Sequence, residues 1–289
     1  MSSQFPDPAR VRATQRDNWT IAAPGWVQRR VEMSTTMRAV TERLIAAARI
    51  ETGQTVLDLA CGVGDPSFSI AAIVGPSGSV LGLDLTPAMI EGAETFARDL
   101  AVQNVEFRVI PSELALGVAP SGFDAATCRF GLMFMADPTA AMRAMATALK
   151  PGGRVAACTW GPPERVPFMT LPNQIIARFG PPAQPDPDGR GPFTIPTPAA
   201  LAAVLTGAGF IDVNVEVFET TAVSAPSADA YWEMASVEPG SLARVLIELS
   251  DTAREAIRVE MIAALTERFP DGPITLGGEV LLGSGRKPI

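Results

Sequence analysis

The run "QTVLDLACGVGDPSFSIA", Gln54–Ala71, decides the fold. It reads as an apolar strand, "TVLDLA" (55–60), then a turn with glycines at 62 and 64, then "SFSIAAIVG" (67–75) with helical character. A strand that ends near an acid, Asp58, and turns on glycines brings bare backbone to a place where a ligand can lie close. Taken alone, the turn equally suits a tight strand-to-helix connection with no ligand.

Reading outward, "GSVLGLDLT" (78–86), "VEFRVI" (105–110), "FDAATCRF" (123–130) and "GRVAACTW" (153–160) are further apolar strands. Pro87 opens a helix, where its missing N–H costs least, and a helix over about 138–149 is closed by "KPGG". Upstream, residues 33–50 carry Met37, Val40, Leu44, Ile45 and Ala48 at helical spacing, with Ser34–Thr36 as candidate caps and Gly53 past the end. Strands alternating with helices, rich in Val, Ile and Leu, predict a parallel α/β sheet covered on both faces and doubly wound. The ligand of such a sheet lies beyond the carboxyl ends of its strands, near the switch in strand order. Residues 60–65, 84–89, 110–113, 129–134 and 160 then surround one crevice.

After Trp160 the pattern changes. Residues 161–195 are studded with Pro and Gly, with a helix only over 168–179. A helix follows at 198–210, then a strand at 211–220, helices over 227–268 and a glycine-interrupted last strand over 275–285. The organisation expected is an N-terminal lid or helical segment (1–52), a cofactor-binding core (53–160), and a remainder (161–289) with substrate-cap insertions at 161–195 and 227–268.

Composition narrows the function. The chain has 289 residues, 47% of them hydrophobic and 19% charged, as in a globular protein with a full core. A net charge of −8 argues against nucleic acid, which needs clustered Lys and Arg. Three cysteines without CxxC spacing, each in an apolar stretch, read as reduced buried thiols; Cys61 stands at a turn and is the candidate for reactivity. With no apolar leader and no run long enough to span a bilayer, the expectation is a cytoplasmic protein. The chain has no histidine, so the commonest acid–base catalyst is missing.

Asp84 ends the second strand, where a carboxylate can take both hydroxyls of a ribose, so two acids at successive strand ends point to a nucleoside ligand. A dinucleotide fits poorly. Ser67 stands where a third glycine belongs, no Lys-Ser/Thr follows the glycines, and Asp65 at the helix start repels a pyrophosphate. A cation-bearing cofactor suits better, which disfavours a nicotinamide oxidoreductase.

The motifs "VLDLACGVGDPSFSIA", "VLGLDLTPAMI", "FDAATCRFGLMFMADP" and "LKPGGRVAACTW", in order over about residues 35–160, resemble the class I S-adenosylmethionine-dependent methyltransferases. The branch most similar contains the ubiquinone/menaquinone-biosynthesis C-methyltransferases and small-molecule methyltransferases of secondary metabolism. The resemblance implies a Rossmann-like, seven-stranded sheet with an antiparallel last strand. It also implies S-adenosyl-L-methionine as cofactor, S-adenosyl-L-homocysteine as product, no metal, and methylation of C, N or O on a small, largely apolar acceptor. By position, Asp58, Ala60, Gly62 and Gly64 would cradle the methionine end and Asp84 the ribose. Leu85 and Met89 would flank the adenine, Ser112 and Glu113 would meet its edge, and Arg129 and Phe130 would stand beside the methionine moiety. This chain departs from the motif at Ala60, in place of the first glycine, and at Pro111, in place of the acid that meets the adenine amine.

Trp19 and Trp26 are candidates for a lid, and Phe134, Trp160 and Tyr231 for the acceptor pocket. Met133, Met135, Met142 and Met145 read as packing. The alternative class is a family member that binds the cofactor without transferring methyl, a cyclase or a regulatory binding module.

Overall fold

A computed structural model describes residues 7–179, 189–237, 246 and 249–289. Strand β1 (Thr55–Leu59) is buried along nearly all its length because apolar side chains leave both of its faces. It pairs in parallel with β2 (Ser79–Asp84) on one side and β4 (Phe123–Arg129) on the other. β3 (Val105–Val109) extends the sheet beyond β2, and β5 (Leu149–Trp160) beyond β4, again in parallel. β7 (Ile274–Arg286) runs antiparallel between β5 and β6 (Ile211–Ala225), giving the order β3-β2-β1-β4-β5-β7-β6. This is the doubly wound seven-stranded sheet, and its strand order reverses between β1 and β4, which sets the crevice at their carboxyl ends.

The two faces have separate cores. Val56, Val80 and Ala125 pack beneath α3 (Arg38–Ala47) and α4 (Ser67–Val74), through Val40, Leu44, Ile70 and Val74. Leu57, Leu59, Leu81 and Leu83 face α6 (Pro138–Ala148) and α8 (Pro198–Gly207), through Met142, Met145, Leu201 and Leu205. Each such aliphatic side chain contributes about 1.5–3 kcal/mol of transfer free energy. α5 (Pro87–Asp99) sets Ile90 and Ala93 against Cys61 and Phe107. Helix starts follow local chemistry: Pro87, Pro138 and Pro198 open their helices, and Asp137 and Thr197 cap the last two by accepting from Ala140 N and Ala200 N.

A third cluster joins α7 (Pro167–Ile176), α9 (Ala228–Val237) and α10 (Asp251–Arg268) to β7, through Ile175, Ile257, Met261, Leu265 and Leu276. Residues 180–188 of the expected cap at 161–195, and 238–245 and 247–248 of that at 227–268, lie outside the described residues. At the other end, α1 (Pro8–Gln28) packs on α5 and leads through α2 (Arg30–Thr36) into α3. Among the described residues no helix is long and apolar enough to cross a membrane.

Several boundaries differ from the sequence reading. Ser34–Thr36 do not cap the helix over 33–50; they end α2. The chain arrives at α3 already helical, with Met37 N bonded to Met33 O and Thr41 N to Met37 O, so no free first turn awaits a cap. Lys150–Gly153 do not close α6. They belong to the start of β5, where Gly152 N bonds Lys287 O and Lys150 Nζ meets Asp124 Oδ1 at 2.6 Å. β6 continues past residue 220 to Ala225, and a register shift at 221–223 bends it.

Candidate active site

The turn after β1 is built around buried Asp58. Its Oδ2 accepts from Ser67 Oγ at 2.5 Å and its Oδ1 from Thr127 Oγ1 at 2.7 Å, so one side chain ties β1 to the start of α4 and to β4. Burial pushes its carboxyl up to about 6 despite those bonds. Asp58 is absent from the cavity wall, so its place is behind the turn rather than against a ligand. The two glycines separate in the same way. Gly62 has φ +54, lines the cavity, and a Cβ there would meet nothing within 4 Å. Gly64 has φ +97 and a Cβ there would fall 2.2 Å from the Phe68 ring. Gly64 is therefore bare because of the helix behind it, not a ligand in front. Ala60 takes a left-handed φ of 59 and lines the cavity.

Across the loop, Asp84 Oδ2 accepts from Gly62 N at 3.0 Å and Oδ1 from Thr86 N at 2.8 Å. Burial raises its carboxyl above the ordinary value, opposed by the hydrogen bonds it accepts from Thr86, Gly62 and Leu85. Beside it Leu85, Met89, Ile110 and Glu113 form an apolar slot. Glu113 is 6% exposed; its Oε2 accepts from Arg12 Nε at 2.7 Å, while its Oε1 is buried with no partner among the described residues. A buried acceptor with no donor is costly unless a ligand supplies one. Ser112 lies off the wall, its Oγ accepting from Leu114 N. The helix α1 closes this end: besides Arg12, Arg16 donates to Leu85 O and Pro111 O, both at 3.3 Å.

On the other side Arg129 donates to Asp65 Oδ2 and Thr41 Oγ1, each at 2.7 Å, and to Asp65 O at 2.8 Å. The Asp65 charge is thus matched by Arg129, and its repulsion of an anion at the turn is weaker than the sequence implies. Phe130, at a left-handed φ of 58, stacks on Trp160 with centroids 4.2 Å apart, and Phe168 meets Trp160 edge-on at 4.9 Å. Trp19 meets both Trp26 and Phe134 edge-on. Met33, Met37, Met133, Met135, Met169, Ala222 and Val223 complete a cavity of about 330 Å³.

Of the residues expected from sequence, Ala60, Gly62, Asp84, Leu85, Met89, Glu113, Arg129 and Phe130 line this one cavity with Trp19, Trp26, Phe134 and Trp160. Asp58, Gly64, Ser112 and Tyr231 do not. Tyr231 is buried in the third cluster, where burial pushes its phenol up to about 12. Met133 and Met135 wall the cavity, while Met142 and Met145 pack in the core. Arg12, Arg16 and Arg30 were missed: surface-like arginines in a helix give no local sign of where they reach. Cys61 is buried, and burial with Asp84 nearby raises its thiol well above the ordinary value, which opposes reactivity. No described group of three or more His, Cys, Asp or Glu is placed to hold a metal ion.

The cavity thus brings together a buried carboxylate oxygen of Glu113 with no partner among the described residues, the Asp84 carboxylate and an open glycine turn at Gly62. The family model described as "Methyltransferase domain" matches residues 50–172. The ubiquinone/menaquinone biosynthesis C-methyltransferase UbiE of Cronobacter sakazakii is 31% identical over 183 residues, 59% of this chain and 71% of that protein. The nocamycin O-methyltransferase of Saccharothrix syringae is 28% identical over 86% of this chain and 91% of its own. The chain spans 41% of the demethylmenaquinone methyltransferase of Lactococcus lactis, at 39% identity over 104 residues. Among solved structures, the YcgJ protein of Bacillus subtilis superposes over 87% of this chain and 99% of its own with a TM-score of 0.54 at 21% identity. The [4+2]-cyclase SpnF superposes with a TM-score of 0.52 at 18% identity, over 87% and 80%. Likeness at that identity speaks for the fold alone. With the sheet order, the family model and these relatives in agreement, the chain belongs to the S-adenosylmethionine-dependent methyltransferases.

Proposed function

We propose that the protein transfers a methyl group from S-adenosylmethionine to a small, largely apolar molecule in a cytoplasmic pathway of secondary or quinone-like metabolism, without nucleic acid. The observation that carries this reading is a single cavity running from the Glu113 and Asp84 carboxylates to the Phe130–Trp160 stack. One end has the polar groups of a nucleoside site, the other an aromatic and thioether wall for an acceptor. Three buried thiols support a reducing compartment.

When bound, the cofactor supplies a methyl group already activated by a positively charged sulfur. The chain's own work is then positioning and exclusion of water. Glu113 would take the adenine amine and Asp84 the ribose hydroxyls. Arg129, fixed by Asp65 and Thr41, would hold the methionine end between the turn and β4. Trp19 and Trp26 on α1 cover the crevice, and Phe130 and Trp160 present a flat dry face to the acceptor.

The test is tritiated S-adenosylmethionine with extracts and candidate acceptors, alongside calorimetry with S-adenosylhomocysteine. Label appearing in a small extractable product is expected. Tight product binding with no label in any acceptor would favour a non-methylating cofactor protein, and absence of binding would overturn both.

A further inference from the structure

Resting on that proposed reading, we infer that the cavity takes an acceptor that enters as an anion, a carboxylic acid or an acidic enol or phenol, with Arg30 as its counter-ion. Apart from Asp84, proposed above for the ribose, the charges on the wall pair off in a way that leaves one over. Arg12 is matched by Glu113, Arg129 by Asp65 and Arg29 by Glu32. Arg30 has no carboxylate among the described residues, and its Nε is buried without a hydrogen-bond partner. Its guanidinium lies over the Phe96 ring at 4.3 Å and near Phe68 at 5.7 Å, which holds it in place while leaving its Nε–H unspent. Arg30, Met33 and Met37 follow one another at helical spacing and all line the cavity, so the cation shares a face with the apolar acceptor wall.

The same wall lacks a base. Asp65 is bound to Arg129, Asp84 and the free Oε1 of Glu113 face the end proposed for the nucleoside, and the Cys61 thiol is held protonated by burial. With Tyr231 elsewhere and no histidine in the chain, no described group on the wall is placed to remove a proton from the acceptor. An acceptor that has already lost its proton to water needs none. Its oxygen or carbanionic carbon bonds the transferred methyl, the carbon–sulfur bond breaks with its electrons going to sulfur, and charge balances without proton transfer. A lone cation in a dry wall is what such a substrate requires.

Binding of 2-naphthoate and of its uncharged isostere 2-naphthamide, to protein saturated with S-adenosylhomocysteine, tests this through quenching of the cavity tryptophans. Naphthoate is expected to bind about tenfold tighter or better. Arg30→Met should erase that preference and Arg30→Lys restore part of it, with affinity for S-adenosylhomocysteine unchanged, which also shows that the variants fold. Equal binding of the two probes, or no naphthoate binding at millimolar concentration, overturns the inference. So does an Arg30→Met variant that loses S-adenosylhomocysteine but keeps 5′-methylthioadenosine, since Arg30 then serves the cofactor's carboxylate. Failure of the unaltered protein to bind S-adenosylhomocysteine overturns the methyltransferase reading itself.

Discussion

Ala60 and Gly131 form a coupled pair. A left-handed alanine costs about 1–2 kcal/mol, and the methyl it carries fills the space facing Gly131, where a Cβ would lie 2.3 Å from it. Gly131→Ala should therefore destabilise by about 1–3 kcal/mol in urea unfolding, and Ala60→Gly in the same chain should restore most of the loss. Additive losses in the double variant would show that the two do not compete for space. Asp58 offers a second test. Its folded-state value of about 6 lies above that of a free carboxyl near ~3.9, so the folded chain holds the proton more tightly between those values. The contribution favours folding fully below about pH 4 and is lost as pH rises through about 6. Asp58→Asn, which can keep both hydroxyl contacts, should flatten this part of the pH–stability curve and match or exceed the parent near pH 8. The glycine turn and Asp84 were legible because strand, acid and glycine adjoin in the chain. The roles of Asp58 and Gly64 were not: a required glycine does not say what fills the space, and here Phe68 fills it rather than a ligand.

At the scale of elements, the sheet was readable because its strands are apolar runs separated by caps and prolines that act locally. The placement of α1 was readable only as two tryptophans. α1 has a Pro and a Gly within it and few buried positions, and Arg12 meets Glu113 across 101 residues of sequence. That contact ties α1 to Glu113, since Arg12 holds one of its oxygens while the other has no partner among the described residues. Amide hydrogen exchange over residues 8–28 should slow when S-adenosylhomocysteine is added, and Arg12→Met should weaken its binding about tenfold by leaving a buried charge unpaired. Exchange indifferent to the ligand would separate α1 from the cofactor site. The expected caps divide differently from the sequence reading. From 161–195, Phe168 and Met169 reach the cavity, while no described residue of α9 or α10 does. The bend in β6 at Ala222 and Val223 does so instead, because a bulge turns two residues towards the crevice that regular pairing would have alternated away.

Across the whole molecule, the absence of histidine shapes the chemistry more than any residue present. A methyltransferase that deprotonates its acceptor shows an inflection in rate that belongs to the protein and stays at one pH whatever the acceptor. Here Asp65 is bound to Arg129, Glu113 and Asp84 lie at the end of the cavity proposed for the nucleoside, and Asp58, with its carboxyl pushed up to about 6, lies behind the turn. Single-turnover methyl transfer to two acceptors returned by the tritium screen, differing in acidity, should then give two inflections, each at its own acceptor's pKa, with a plateau above. The plateau follows because a fully ionised acceptor gains nothing from further base. Arg30→Met should lower the plateau and raise KM for both acceptors without moving either inflection by more than the counter-ion's own effect on acceptor acidity. An inflection common to both acceptors would instead identify a protein base within the cavity, and the reading of this site as a base-free trap for anions would fall.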